Sequence, residues 1–581
     1  MARKKYSCDF ETTTDIDDCR VWAYGWMEIG KKKNYAIGNS LEEFMQWVKK
    51  SEGNLYFHNL KFDGSFIVNW LLKNGFTYSD NGLPNTFNAI ISNMGQWYMI
   101  DICYGYNGRK KLHTVIYDSL KKLPFSVDFI GKSFKLGTMK TDVGEEFYHR
   151  PRPIGHVITE EEYGYIKNDI EVIADALEIQ FSQGLDKMTS GSDSLAGYKA
   201  IISEKNFEKN FPIMSLGMDA EIRKAYRGGF TWLNKKYAEK DIGTGIVFDV
   251  NSLYPAQMYM QELPFGMPIE FSGEYEFDEE YPLFIQHITC EFELKDDRIP
   301  TIQIKRNPLF KGNEYLHDSK GEVVDLYVTN VDLELMKEHY DLYGLEYHNG
   351  WKFRSKTGMF NNFIDKWTYV KITETGAKQM LAKLMLNSLY GKFASNPNVT
   401  GRIPYLRPDG SNGFELDDEE YKKPVYTPMG IFITSWARHV CITTAQKCFD
   451  RIIYCDTDSI HLVGEDIPDA IKDVIDPKKM GFWDHEATFE SARYLRQKTY
   501  AQNVFEKRKG KDDEGNDRWT SAGSEDYERV RFKVTCAGMG DKVKAQVTWD
   551  NFKIGFKTMG SLKGKQVNGG VVLVDSPFSI T

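Results

Sequence analysis

Tyr454-Cys455-Asp456-Thr457-Asp458-Ser459 lies between two apolar runs, Ile452-Ile453 before it and Ile460-His461-Leu462-Val463 after it. Apolar runs flanking a short polar segment predict a β-hairpin whose tight turn carries the two aspartates. Carboxylates two residues apart on such a turn are expected to face the same way. At ~4 Å two unit negative charges repel by roughly 1 kcal/mol in water, and by several times that in a partly buried site. The turn is therefore expected to face a cation. Taken alone the pair says little, since 83 acidic residues in 581 produce about a dozen acid-x-acid pairs by chance. Its meaning depends on the rest of the chain.

Working outward, Gly245-Ile246-Val247-Phe248-Asp249-Val250 reads as an apolar strand ending on a carboxylate, followed by Asn251-Ser252-Leu253-Tyr254-Pro255 turning into a helix. Asp249 and Asp458 both stand at strand ends and meet if the two strands pair. Phosphoryl transfer by two metals needs such acids bridging ions ~3.5–4 Å apart. Between them in sequence, the helical run Ala377–Phe393 places Lys383, Asn387 and Tyr390 at i, i+4 and i+7 on one face. A cation and an aromatic ring there suit a triphosphate and a base. Each residue alone is compatible with a cap, a solvated side chain or a core ring; the ordered set is harder to dismiss.

Asp249-Val-Asn-Ser-Leu-Tyr-Pro, Lys383 through Tyr390-Gly, and Tyr454-Cys-Asp-Thr-Asp-Ser resemble the three polymerase motifs of family B DNA polymerases, and the resemblance to the protein-primed, phi29-like Bacillus phage branch covers nearly the whole chain. It implies that Asp249 and Asp458, with the Val250 carbonyl, hold two Mg²⁺ ions, for which Mn²⁺ can substitute. It further implies that Tyr254 excludes a ribose 2′-OH, that Lys371 and Lys383 bind the triphosphate with Asn387 nearby, and that Tyr390 checks the nascent pair. Lys498-Thr499-Tyr500 resembles the Lys-x-Tyr motif that holds the primer terminus. Thr434 and Arg438 resemble template contacts, and Tyr226-Arg227-Gly228-Gly229 resembles the Tyr-x-Gly-Gly motif between the two active sites.

The first 190 residues alternate strand-like and helical runs, an α/β pattern. Asp9 and Glu11 end the first strand, Asp63 follows the strand Asn54–Phe57, and Thr159-Glu160-Glu161-Glu162 is a capping box opening a helix that carries Tyr165 and Asp169 at i, i+4. Helices are also expected at Leu41–Lys49 and Phe66–Asn74. Four carboxylates and a phenol suit metal-assisted phosphodiester hydrolysis. Their order resembles the three exonuclease motifs of ribonuclease-H-like proofreading domains. That resemblance implies single-strand contacts from His58, Asn59, Phe62, Phe66, Ser119 and Leu120, and a catalytic lysine at Lys140.

Bulk properties bound the rest. A chain of 581 residues, 41% hydrophobic and 27% charged, is a multi-unit globular protein. The net charge of −9 and pI near 5.8 argue against nucleic-acid binding if averaged, but residues 531–581 hold eight Lys/Arg against three Asp/Glu. Distribution rather than the sum decides whether a phosphate backbone is tolerated. Stretches 409–422 and 512–528 are acidic and read as solvated loops. The eight cysteines form no CxxC pair, as suits a reducing compartment, and neither a signal peptide at Met1-Ala2-Arg3 nor an apolar spanning segment is evident. A cytoplasmic location is expected, within the infected bacterial host.

The expected fold is α/β and α+β multidomain. A ribonuclease-H-like 3′→5′ exonuclease domain (1–189) precedes a right-hand polymerase domain of palm, fingers and thumb (190–581, thumb 530–581), with a polar boundary near Thr189-Ser190-Gly191-Ser192. Two insertions are implied by the resemblance, one at 302–356 receiving a terminal protein and one at 394–427 encircling DNA for processivity and strand displacement. The expected partners are primer-template and single-stranded DNA, deoxynucleoside triphosphates, a terminal protein and a phage single-stranded-DNA-binding protein, for a monomeric enzyme. The alternatives are an exonuclease with a degenerate, DNA-holding polymerase half, and a non-catalytic factor that binds DNA ends.

Overall fold

The computed structural model describes residues 3–511 and 517–581. Met1 and Ala2, and positions 512–516 of the acidic stretch, lie outside the described residues. The N-terminal region is built on an eight-stranded mixed sheet in the order Tyr35–Gly38, Val21–Glu28, Lys5–Thr12, Asn54–Phe57, Lys110–Asp118, Trp97–Asn107, Thr86–Ile91, Thr77–Tyr78. Lys5–Thr12 pairs antiparallel with Val21–Glu28 and parallel with Asn54–Phe57. A parallel pair needs a crossover, and the helix Leu41–Ser51 supplies it.

The capping box forms as expected: Thr159 accepts from the Glu162 N–H, Glu162 accepts from the Thr159 N–H, and the helix Glu160–Ser182 follows. Ile166 and Ile170 of that helix press so closely on Gly25 that a Cβ there would lie 2.7 Å from Ile166. The next helix differs from expectation. It spans Leu60–Lys73 rather than Phe66–Asn74. Asn59, at φ 76°, ends the strand in a left-handed turn without capping the helix itself; the Asp118 carboxylate, 59 residues away, accepts the N–H groups of Asn59 and Leu60. That early start brings Asp63 onto the helix.

Thr189-Ser190 is a helix start rather than a linker, because Thr189 caps the helix Ser190–Ile202. Beyond it lies a nine-stranded sheet. Its main path runs Asp517–Ser521, Thr499–Lys511, Trp483–Arg496, Gly245–Val250, Ser459–Val463, Ile452–Thr457, Phe230–Leu233, with Asp241–Ile242 and Arg529–Cys536 paired at its side. The stretch from Ile302 to Lys356 is more than a turn-rich excursion. It contributes Val324–Thr329, the helix Asn330–His339 and Tyr340–Lys356 to a four-stranded sheet that begins at Leu263.

The acidic 409–422 stretch likewise carries the strand Asn412–Leu416, paired with Arg402–Leu406, and 512–528 includes Asp517–Ser521. The helix Ala377–Phe393 has the expected bounds; the next one spans Thr427–Lys447 instead of Ile431–Phe449, with Pro428 in its first turn. A separate hairpin, Lys557–Val567 with Gly570–Ser579, ends the chain. All eight cysteines are buried and free. Among the described residues no helix is long and apolar enough to cross a membrane.

Candidate active sites

Gly245–Val250 and Ser459–Val463 pair antiparallel with Asp249 opposite Ser459, and the Val250 N–H donates to the Asp458 carbonyl at 2.7 Å. Two acids more than 200 residues apart in sequence are thereby set side by side. Thr457, at φ 64°, turns the backbone between Asp456 and Asp458. The two hairpin aspartates therefore do not share one site, contrary to the sequence expectation. Asp456 accepts from Tyr454 Oη at 3.0 Å and pairs with Lys498. Only Asp458 turns toward Asp249.

Asp249 and Asp458 border a cavity of about 430 Å³ lined also by Val250, Ser252, Tyr254, Lys371, Lys383, Asn387 and Tyr390. The helix face expected from the i, i+4, i+7 spacing thus looks into the same space as the acids. Tyr254 and Tyr390 stack at 4.1 Å with an interplanar angle of 19°, forming one aromatic wall. Lys371 donates to Ser252 Oγ at 3.2 Å, and burial and then the neighbouring Lys383 hold its ammonium below its ordinary range. Burial, then Asp458, Glu486 and Asp484, push Asp249 up to about 7, and Asp458 is likewise raised, chiefly by burial. The cavity has an anionic floor and a cationic wall.

Gly229 shows why a glycine stands beside it. A Cβ at Gly229 would lie 2.7 Å from Thr457 Cγ2 and 3.1 Å from Tyr254 Oη, whereas Gly228 faces open space. Tyr226 is half-buried in the same core as Tyr254 and Tyr390. Tyr500 stacks on Tyr494 at 5.2 Å, and Lys498 is tied to Asp456.

Two expected template contacts are corrected. Thr434 is 1% exposed and its hydroxyl bonds back to Gly430 and Ile431 of its own helix. Arg438 is 2% exposed. Its guanidinium forks onto Asp332 and donates to the Arg227 and Gly228 carbonyls at 2.9 Å. Neither side chain is available to nucleic acid; Arg438 instead anchors the Tyr-Arg-Gly-Gly turn from within.

In the N-terminal region Asp9 and Glu11 on the first strand, Asp63 on the helix after the fourth, and Asp169 on the long helix come close enough for the charge of one to raise the pKa of another. Burial and then Asp169 push Asp9 up to about 7; burial and then Asp9 raise both Glu11 and Asp63. Lys140 donates to Asp169 at 2.8 Å and lies 5.3 Å from the Tyr165 ring centre, so the structure places it among these acids. The Tyr165 hydroxyl bonds to Tyr148 Oη at 3.1 Å.

Of the expected single-strand contacts, Asn59 is exposed, and Phe62 and Leu120 are partly exposed. The others are corrected. Phe66 is 0% exposed and packs in the core that also holds Val571 and Val572. Ser119 is 0% exposed and donates to the Phe57 carbonyl. His58 spends one ring nitrogen on Ser119 and the other on the Phe125 carbonyl. Asp118, Tyr148 and Glu486 were missed by the sequence reading, since each acts through residues distant in the chain. The only available signal was the bare Tyr117-Asp118-Ser119 and Asp484-x-Glu486 patterns.

The donor sets fit hard divalent cations. Carboxylate oxygens suit Mg²⁺, which keeps several waters and takes one or two carboxylates plus substrate phosphates rather than a protein cage. Among the described residues no three His, Cys, Asp or Glu side chains form a ready-made metal site. Asp169 Oδ1 is a buried oxygen without a hydrogen-bond partner, and among the described residues Asp249, Asp458, Asp9, Glu11 and Asp63 have no ion-pair partner. Repelling acids left unpaired at a cleft are costly unless a cation is to be received.

Known proteins match this geometry along the full chain. The family description "DNA polymerase type B, organellar and viral" matches residues 45–477. The DNA polymerase of Bacillus phage Nf is 66% identical over 580 residues, covering 100% of both chains, and that of Streptococcus phage Cp-1 is 32% identical, covering 99% and 98%. The solved structure of Phi29 DNA polymerase complexed with primer-template DNA and incoming nucleotide substrates superposes with a TM-score of 0.94 at 63% identity over 100% of both chains. With the two strand-end aspartates facing the two lysines across one cavity, the chain belongs to the type B DNA polymerases and is similar over its full length to the phi29-like Bacillus phage members.

Proposed function

We propose that the chain is a protein-primed, DNA-directed DNA polymerase with 3′→5′ proofreading that replicates a linear phage genome with strand displacement. The reading assigns residues 1–189 to the exonuclease and 190–581 to palm, fingers and thumb. Asp249 and Asp458 facing Lys371 and Lys383 across one cavity is the observation that carries it. In synthesis the primer 3′-hydroxyl, or a terminal-protein hydroxyl at initiation, forms a bond to the α-phosphorus of a deoxynucleoside triphosphate. The bond to the β-phosphate oxygen breaks, pyrophosphate leaves, and the hydroxyl proton passes to solvent.

Asp249, Asp458 and the Val250 carbonyl would hold the Mg²⁺ or Mn²⁺ ions, which when bound would neutralise phosphate charge and lower the pKa of the attacking hydroxyl. Lys371 and Lys383 orient the triphosphate. Tyr254, stacked on Tyr390, closes the space where a ribose 2′-hydroxyl would sit. Positioning and charge neutralisation supply most of the catalysis. At the second site Asp9, Glu11, Asp63 and Asp169 would hold the ions, Tyr165 would orient a water, and Lys140 steadies Asp169. The solved complexes of Phi29 DNA polymerase with primer-template and single-stranded DNA support those partners here. The terminal protein, the single-stranded-DNA-binding protein, the monomeric state and the host cytoplasm follow from the family reading.

A DNA-holding scaffold or end-binding factor would have no use for two sets of unpaired acids. Asp458→Ala is expected to abolish primer extension with Mg²⁺ and deoxynucleotides while sparing primer degradation, and Asp9→Ala to do the reverse. Loss of both activities in either folded variant would reject the two-site reading. A labelled nucleotide joined covalently to the replicon's terminal protein distinguishes protein priming from ordinary primer use.

A further inference from the structure

The segment between the helices Val127–Phe134 and Glu160–Ser182 carries Lys140 and Tyr148, yet its one helix is the short Glu145–His149. Tyr148 is 40% exposed, whereas the Tyr165 hydroxyl it meets at 3.1 Å belongs to a buried side chain. Phe147, the residue before, packs on the Tyr165 ring at 4.9 Å. Two neighbouring loop residues thus grip one phenol. Several ties of this stretch lie on the surface: Glu145 with Lys542, Arg150 with Glu161, and His149 with Thr14 Oγ1 at 3.3 Å. Exposed pairs contribute little and do not hold a ring in one orientation.

Arg152 is different. It is 5% exposed, and its Nε donates to Glu162 Oε1 at 2.8 Å. The guanidinium lies over Trp22 at 4.1 Å and over Phe147 at 4.8 Å, and both rings are buried. A cation desolvated between aromatic faces and a carboxylate is held more firmly than one in water. Glu162 opens the long helix and stands three residues before Tyr165, so the brace and the phenol it serves rest on one helix. The other carboxylate oxygen of Glu162 accepts from the Thr159 N–H at 3.0 Å and from His156 Nε2 at 2.7 Å. The helix start therefore keeps its cap if Arg152 is removed. What is lost is the hold on Phe147 and Tyr148.

We propose that Arg152 is a positioning residue for phosphodiester hydrolysis: braced on Glu162 and stacked on Phe147, it seats the Tyr148 hydroxyl against Tyr165. This rests on the reading of residues 1–189 as an exonuclease. A phenol has one proton to donate and accepts through its oxygen. Whichever hydroxyl donates in the Tyr148–Tyr165 bond, the hydrogen-bonding direction left over on Tyr165 is fixed, and a water is met from that direction. Arg152 bonds to Glu162, which is not among the carboxylates of the site, and acts through the two loop residues.

The test is single-turnover cleavage of a labelled single-stranded oligonucleotide by the full-length protein with Mg²⁺. Affinity for the same oligonucleotide is measured in EDTA, and primer extension with deoxynucleotides is the control. Arg152→Met is expected to slow cleavage at saturating protein by about tenfold or more, with affinity and extension unchanged. Combined with Tyr148→Phe, it is expected to be no slower than the slower single variant, because both act through one hydroxyl. Effects that multiply overturn the proposal. So does a wild-type rate in Arg152→Met, or a loss confined to affinity. If Arg152→Met also loses extension, Glu162→Gln, which retains an acceptor for the cap, decides by the same criteria. Loss of extension in both variants overturns the brace in favour of a general support of the fold. Wild-type protein that shortens no DNA rejects the exonuclease reading instead. Hydrogen exchange at residues 145–149 then judges the brace alone: faster exchange in Arg152→Met supports it, and unchanged exchange overturns it.

Discussion

Tyr254 and Gly229 show how closely the polymerase cavity is fitted. The Tyr254 ring is held against Tyr390 on one side, while its hydroxyl lies 3.1 Å from where a Gly229 Cβ would stand. A side chain fixed from two directions can exclude a single oxygen atom, which a mobile one could not. Tyr254→Val is therefore expected to raise ribonucleotide incorporation relative to deoxynucleotides by about tenfold or more, on the scale of ~1–3 kcal/mol for a steric change in a fitted pocket. The ratio of kcat/KM for ATP and dATP measures it, and an unchanged ratio rejects the gate role. Arg438 teaches the opposite lesson. A cation expected to meet the template is consumed by Asp332 and two carbonyls.

At the scale of elements, the nine-stranded sheet does two jobs at once. Its register places Asp249 beside Asp458, and the same face, two residues further along Ser459–Val463, buries His461 against Tyr494 and Gln502. Burial, and then Lys533, hold the His461 imidazole down at about 3, against an ordinary value near 6.5. A depressed histidine contributes stability that is present above pH ~6.5 and is lost as pH falls toward ~3, because the unfolded chain takes up the proton first. Asp249 and Asp9 have the opposite sign. Their raised values favour the fold below pH ~4 and withdraw that support as pH rises through ~7.

His461→Gln is accordingly expected to flatten the loss of stability between pH 6.5 and 4, read as the urea midpoint at each pH. An identical pH profile in the variant would show that His461 is not the group responsible.

Across the whole molecule, a net charge of −9 coexists with nucleic-acid chemistry because the charges are segregated. Acidic residues pair with lysines and arginines over much of the surface, while the last 51 residues carry the excess of eight basic over three acidic side chains. DNA held by such a local patch is expected to be released steeply by salt. The logarithm of affinity should fall by about 0.9 for each phosphate neutralised per unit of log salt, against a background of repulsion from the remainder of the chain. Fluorescence anisotropy of a primer-template between 50 and 200 mM salt checks this, and a flat dependence would refute charge segregation as the basis of binding.

Linear patterns determined a large part of this protein. Asp249 at the end of an apolar strand, the face of Lys383, Asn387 and Tyr390, and the capping box at Thr159 were legible because period and capping are local properties, fixed by a few adjacent residues. The position of Asp458 in a hairpin turn was legible for the same reason, whereas Asp169 stands in the middle of its helix. What only the tertiary structure decided is where side chains go once elements pack. Asp456 turns to Lys498 while Asp458 turns to Asp249; Phe66, Ser119, Thr434 and Arg438 are sealed inside; Lys140 reaches Asp169; and Asn412 closes on a helix over 340 residues earlier in the chain. Each depends on a partner brought near by folding, and burial is decided by that partner rather than by the neighbours in sequence.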